Sequence, residues 1–173
     1  MVPDDDFSFR AARREDAETV FNITHASIGG LARTSYSRTQ IENWMGERTP
    51  AFYQELIAKG RMTVCLRDGI VVGFVDAEPG EVTRLFVLPE AAGFGMGRRL
   101  LEIGIAQAQL GHNGSIRLEA TINAEGFYRK CGFRSIATGY FSHGLSGEPV
   151  EIVHMELSTS TFPTRLLGGA ASW

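Results

Sequence analysis

Three glycines carry the first chemical signal in this chain. Gly93, Gly95 and Gly97 stand at every second position, after a short apolar strand over 82–87 and before a helical pattern that opens at Arg98. Leu85, Phe86 and Val87 read as the buried core of that strand. Pro89 then ends it, because proline has no N–H for a neighbouring strand. Alternating glycines ahead of a helix let the backbone approach a ligand and turn several N–H groups into one space. The first helical turn adds unpaired N–H groups and the positive end of the helix dipole, which suits phosphate. Strand, glycine loop and helix together predict a pyrophosphate cradle. The same pattern also suits a tight connection with no ligand.

Two familiar phosphate loops fail on spacing. A nucleoside-triphosphate loop ends in Gly-Lys-Ser or Gly-Lys-Thr, and here Gly97 is followed by Arg98 and Arg99. The dinucleotide fingerprint needs a third glycine, which would fall at Arg98 or Leu100. Other reactive side chains form no constellation. His25, His112, His143 and His154 are scattered without metal-ligand spacing, and Ser27 and Ser37 have no His/Asp arrangement around them. Cys65 and Cys131 form no CxxC pair, so neither a disulfide framework nor a zinc site is expected.

The glycine stretch resembles the acetyl-CoA loop of the GNAT N-acetyltransferase superfamily. That loop reads Arg/Gln-x-x-Gly-x-Gly/Ala after a strand ending apolar-Val-x-Pro, which Gly95-Met96-Gly97 and Leu85-Phe86-Val87-Leu88-Pro89 match in type and spacing. Ala92 stands where the family usually has Arg or Gln, removing one side-chain contact but not the backbone cradle. One strand later, Asn123, Phe127-Tyr128 and Gly132-Phe133 match the family's second motif. Alone, the two aromatics read as packing on a short helix; in this order after the glycine loop they become specific.

The resemblance implies an acetyl-CoA-dependent N-acetyltransferase acting on a primary amine of a small molecule, peptide or protein. Transfer would be direct, in a ternary complex, without metal. By this likeness acetyl-CoA meets Leu85, Phe86, Val87, Gly93, Phe94, Gly95, Met96, Gly97, Arg98, Asn123 and Tyr128. N–H groups near Phe86 and Val87 would polarise the thioester carbonyl. Tyr128, with a reference pKa of about 10, would protonate the leaving thiolate. Glu81 is the first candidate for the base, Glu119 the second, and a positioned water could serve instead. His25 is a further candidate for touching the acceptor. Rival readings are a non-catalytic acyl-CoA-binding module and an acyltransferase using another acyl-CoA or a hydroxyl acceptor.

These residues need elements to hold them. Alternation predicts a first strand over 7–12, and Asp16 reads as the N-cap of a helix that Gly29 and Gly30 end. Ser37 and Gln40 form a capping-box pattern for a short helix carrying Ile41 and Trp44. Thr49-Pro50 opens another that stops at Gly60. Strands follow over 61–67 and 70–77, joined by the hairpin turn Asp68-Gly69. After Pro79-Gly80 come the strand that starts at Glu81, the glycine loop and its helix. A strand over 115–122 precedes a helix capped by Asn123 and stopped by Gly132; strands over 133–141 and 150–157 close the chain around a loop at 144–149.

This order predicts a mixed α/β fold, and by the family likeness a central, mostly antiparallel twisted sheet flanked by helices. Residues 1–158 read as one domain, with 29–60 on the acceptor side, and 159–173 as a tail. At 173 residues the chain can bury a proper core, and 43% hydrophobic with 21% charged residues is ordinary for a globular domain. A net charge of −3 argues against bulk nucleic-acid binding. No apolar run is long enough to span a membrane and Asp4-Asp5-Asp6 is unlike a secretory signal, so the expected location is the cytoplasm. A homodimer is compatible with this reading.

Overall fold

The computed structural model describes residues 7–31, 36–45, 48–141 and 150–159. Their strands form one sheet: β1 (Phe7–Ala11), β2 (Thr63–Arg67), β3 (Ile70–Glu78), β4 (Glu81–Val87), β5 (Ile116–Ala120), β6 (Arg134–Tyr140) and β7 (Glu151–Leu157). The sheet order is β1-β2-β3-β4-β5-β7-β6. Every neighbouring pair is antiparallel except β4 and β5, which run parallel. The expected mixed, mostly antiparallel sheet is therefore what the chain builds.

Helices cover both faces. Successive side chains on a strand point to opposite sides, and β3 shows it: Phe74 packs into the cluster around Val20, Ile23, Tyr53 and Leu56, whereas Val75 packs with Leu100, Leu101 and Ile105. The first group belongs to α1 (Ala17–Leu31) and α3 (Pro50–Ala58), the second to α4 (Met96–Gln109). Leu100, Leu101 and Ile105 are at most 3% exposed, and each such burial is worth about 1.5–3 kcal/mol. Gly104 lets α4 lie close on the sheet, since a Cβ there would sit 2.5 Å from Val75 Cγ2. Two shorter helices, α2 (Arg38–Met45) and α5 (Glu125–Lys130), complete the described chain. No helix among the described residues is long and apolar enough to cross a membrane.

Several boundaries differ from the sequence reading. Asp16 does not act as the N-cap of α1; it closes a 3-10 turn over Arg14–Asp16. Its carboxylate accepts the Arg13 N–H at 2.7 Å and two bonds from the Arg10 guanidinium at 2.7 and 3.0 Å. Gly29 and Gly30 do not stop α1, which continues to Leu31. Tertiary contact overrides their propensity here: Ile28 is buried, and Gly30 lies where a Cβ would be 3.6 Å from Pro89. α4 begins at Met96, two residues before the expected start. Asn123 sits in a 3-10 turn over Ile122–Ala124, so Ala124 precedes α5 instead.

In β4 the expected core of Leu85, Phe86 and Val87 is only half-buried; Val82 and Arg84 are the buried residues. The expected loop at 144–149 and almost all of the tail lie outside the described residues, as does the Trp44 side chain.

Candidate active site

β4 and β5 share one registered pair, Glu81 with Arg117. Beyond it the two strands part, and a cleft of about 120 Å3 opens, lined by β4 from Val82 to Phe86 and by Leu118 and Glu119 of β5. Backbone direction along β4 follows from its ladder. The Leu88 N–H donates to the Val72 carbonyl at 2.9 Å. Backbone groups alternate sides along a strand, so Phe86 and Arg84 also face β3 while Leu85 and Val87 face the opening. The Val87 carbonyl accordingly accepts the Ser27 hydroxyl of α1 at 3.3 Å. The amides available to a ligand are thus those of Leu85 and Val87, not that of Phe86.

A β-bulge shapes the same strand. Asp76 pairs with Arg84 and Ala77 with Val82, leaving Thr83 as an extra residue in β4. The bulge reverses side-chain alternation, so Val82 joins the α4 core while Arg84 turns toward α3, its guanidinium 5.7 Å from the Phe52 ring centre. Arg84 is 8% exposed and its Nη1 lies 3.1 Å from Asp76 Oδ2. Burial pushes the Asp76 carboxyl up against the opposing pull of Arg84. Removing one partner of such a pair costs about 3–5 kcal/mol, because the other charge is left buried alone.

The glycine loop runs from β4 into α4. Gly93 and Gly95 have φ of 90° and 81°, the left-handed region that glycine adopts freely, and Gly95 is the residue that precedes α4. A Cβ at either would meet nothing within 4 Å, so the space beside the loop is open. Gly97 differs: it lies inside the helix, and a Cβ there would stand 3.5 Å from the Phe127 ring. The third glycine therefore brings the loop against α5. Met96 is buried with its sulfur 3.0 Å from Cys65 Sγ, so its side chain belongs to the core and only its backbone faces the loop. Phe94 is half-exposed, with the Arg67 guanidinium 4.7 Å from its ring centre. Arg98 is exposed and 3.7 Å from Glu102, and Arg99 stacks over Phe9. Backbone amides, a helix start and the Arg98 charge give the loop a donor set that fits a diphosphate.

Next to that contact, Tyr128 lines the cleft. Its ring stands edge-on to Phe127 and Phe133, with centroids 5.1 and 6.0 Å away. Burial pushes its phenol well above the ordinary tyrosine value, so it keeps its proton. Asn123 and Glu119 line the cleft with it. Glu81 does not; it lies in a separate groove with His112, Arg117 and His154, which Glu119 also reaches. His25 is on the exposed side of α1, edge-on to Phe21, and outside the cleft.

Sequence reasoning did not single out Arg48 or Arg84, set Ser27 aside as a nucleophile and read Tyr36 as a packing residue. Ser27 and Arg48 line the cleft, Arg84 enters through the bulge, and Tyr36 packs with Ile28 and Ile152 of the lining. The Tyr36 hydroxyl donates to the Glu151 carbonyl at 2.7 Å and accepts the Ile122 N–H at 3.1 Å. One signal was available: Asp76 and Arg84 are charges inside otherwise apolar strands, which points to a buried pair.

A family profile described as Acetyltransferase (GNAT) domain matches residues 32–157. The chain belongs to the GNAT acetyltransferase family. This GNAT chain is similar to a GCN5-related N-acetyltransferase from Rhodopseudomonas palustris, with 25% identity, a TM-score of 0.80 and coverage of 87% of this chain and 94% of that one. It also resembles the PaiA N-acetyltransferase from Thermoplasma acidophilum in complex with coenzyme A, at 23% identity and a TM-score of 0.71, covering 88% and 98% of the two chains. A third likeness is yncA from Salmonella typhimurium with its cofactor acetyl-CoA, at 20% identity and a TM-score of 0.64, covering 88% and 94%. No curated protein matches the chain in sequence.

Proposed function

We propose that this GNAT protein transfers an acetyl group from acetyl-CoA to a primary amine, directly and within a ternary complex. The observation that carries the reading is convergence: the glycine loop meets α5 at Gly97 and Phe127, and the adjoining Tyr128 lines the cleft onto which the unpaired edge of β4 opens. The solved relatives that hold coenzyme A or acetyl-CoA support the same donor.

Acetyl-CoA supplies an activated acyl group as a thioester. In this reading the backbone amides from Gly93 to Arg98 hold the pyrophosphate, aided by the positive end of α4. Leu85 and Val87 offer N–H groups along the cleft edge, pairing with amides of the pantetheine arm and polarising the thioester carbonyl. As the new C–N bond forms and the C–S bond breaks, the Tyr128 hydroxyl gives a hydrogen bond, then its proton, to the departing sulfur. The burial that raises the phenol also desolvates the thiolate and raises its proton affinity, so the two remain matched. The amine loses its proton to Glu119, directly or through water. Glu119 takes this role over Glu81 because it alone of the two lines the cleft. Residues 1–158 then form one catalytic domain, with 29–60 lending the acceptor side through Arg48.

Initial rates of thiol release, with acetyl-CoA and amine both varied, test the reading. Intersecting double-reciprocal lines are expected for a ternary complex, whereas parallel lines would mean a covalent acetyl-enzyme. The exposed Ala92 favours one alternative, an acyl-CoA-binding module without turnover; binding of acetyl-CoA with no thiol release to any amine would support it instead.

A further inference from the structure

The acceptor end of the cleft has a chemistry of its own. Arg48 and Arg84 both line it, at 7% and 8% exposure. Both guanidinium groups stand over the Phe52 ring, at 5.4 and 5.7 Å from its centre, and Arg48 also stands 5.8 Å from Phe141. The aromatic platform holds two planar forks in a fixed place. One carboxylate, Asp76, meets Arg84 through Nη1, while Arg84 Nε is buried without a hydrogen-bond partner among the described residues. A buried donor left unmade is costly, and an anion in the cleft would satisfy it. Burial also holds the Arg48 guanidinium below its ordinary value, against an opposing pull from Tyr53 and with a smaller push from the charge of Arg84. An anion between the two would relieve both effects. Glu119 of β5 and Tyr128 of α5 line the same cleft.

We propose that the acceptor is a small amino-carboxylate, whose carboxylate is held by Arg48 and Arg84 and whose amine is directed to the Glu119 and Tyr128 end. This rests on the N-acetyltransferase reading and narrows its substrate to molecules carrying both groups. A volume of about 120 Å3 lies below the roughly 300–1,000 Å3 of drug-sized pockets, so the part of the acceptor that enters is of amino-acid size. A guanidinium fork matches a carboxylate in two parallel hydrogen bonds, so the carboxylate acts as the specificity group. The apolar part of the lining, Ile28, Phe86 and Ile152, would receive the side chain.

The test uses the full chain, acetyl-CoA and the common amino acids, each beside its own carboxamide, with thiol release as the readout. For the best acceptor the free acid should exceed its amide at least tenfold in kcat/KM. Arg48→Gln should cut that acid-to-amide ratio tenfold or more, mainly through KM of the acid, and Arg48→Lys should restore part of it. Arg48 carries the variant because Arg84→Gln would strand Asp76 and endanger the fold. Calorimetric titration with acetyl-CoA checks that each variant is folded and separates the two levels of the claim. Binding of acetyl-CoA with amides or simple amines used as well as the acids, or with no amino-carboxylate used, overturns this proposal and leaves the parent reading standing. No binding of acetyl-CoA by the unaltered protein overturns both.

Discussion

In the proposed mechanism Tyr128 is the residue on which turnover depends most. Its hydroxyl can be deleted with little change in shape, so Tyr128→Phe isolates the proton. Loss of a positioned general acid lowers turnover by about 10²–10⁴-fold, and acetyl-CoA affinity should hardly move because the backbone amides remain. Stopped assays of kcat beside calorimetric affinity check this; unaltered turnover would remove Tyr128 from the mechanism. The pH profile follows from the direction of its shift. Burial favours the neutral phenol, so the form that donates is retained at pH values where an exposed tyrosine would ionise. No alkaline loss of kcat should appear below about pH 10, the reference value for tyrosine. A fall centred near pH 9 would contradict this assignment.

At the scale of elements, two junctions hold the site. Gly95 sits at φ 81° at the start of α4, where a side chain brings strain, worth about 1–2 kcal/mol. It also brings bulk and, for Gly95→Glu, a negative charge into the cradle. That variant should lose acetyl-CoA binding while its circular dichroism stays that of the folded protein; tight binding retained would sink the loop assignment. Tyr36 is the second junction. Tyr36→Phe leaves the Ile122 N–H without its partner beside the cleft, and about 1–3 kcal/mol of stability should be lost in urea unfolding. The glycine loop was legible in sequence because Pro89 ends the strand and Gly93 and Gly95 take the left-handed backbone that glycine adopts freely. The bulge at Thr83 was not, because it depends on how β3 and β4 pair, and no residue type announces it. For that reason Arg84 read as one more strand residue; the ladder with β3 likewise decides that, of the amides expected near Phe86 and Val87, Val87 faces the opening and Phe86 does not. α1 running through Gly29 and Gly30 has the same origin, packing that outweighs a local preference. Glu81 was ranked before Glu119 from sequence, but the splay of β4 from β5 decides which of them lines the cleft, and it is Glu119.

For the whole molecule, the sheet is anchored at its β1 end by the Arg10–Asp16 pair, whose side chains are 26% and 8% exposed. The Arg10 hydrogen bonds, set against the cost of burial, hold the Asp16 carboxyl below its ordinary range. A folded-state pKa below the unfolded value of about 3.9 means that the stabilisation is complete above that pH and fades as pH falls through the folded value. Asp16→Asn should therefore cost about 1–2 kcal/mol near pH 7, with the gap between the two proteins narrowing as pH falls below about 3.9. Thermal melts across pH 2.5–7 read this directly, and a gap independent of pH would mean that the charge is not what matters.

Every role proposed for this protein requires that the Gly93-to-Arg98 loop and the open edge of β4 bind acetyl-CoA. Calorimetric titration of the purified protein with acetyl-CoA, with ATP and NAD as controls, tests it most directly. The account predicts selective micromolar binding of acetyl-CoA, abolished by Gly95→Glu. No binding, or binding of ATP in preference, would contradict it and leave a GNAT fold without the family's donor.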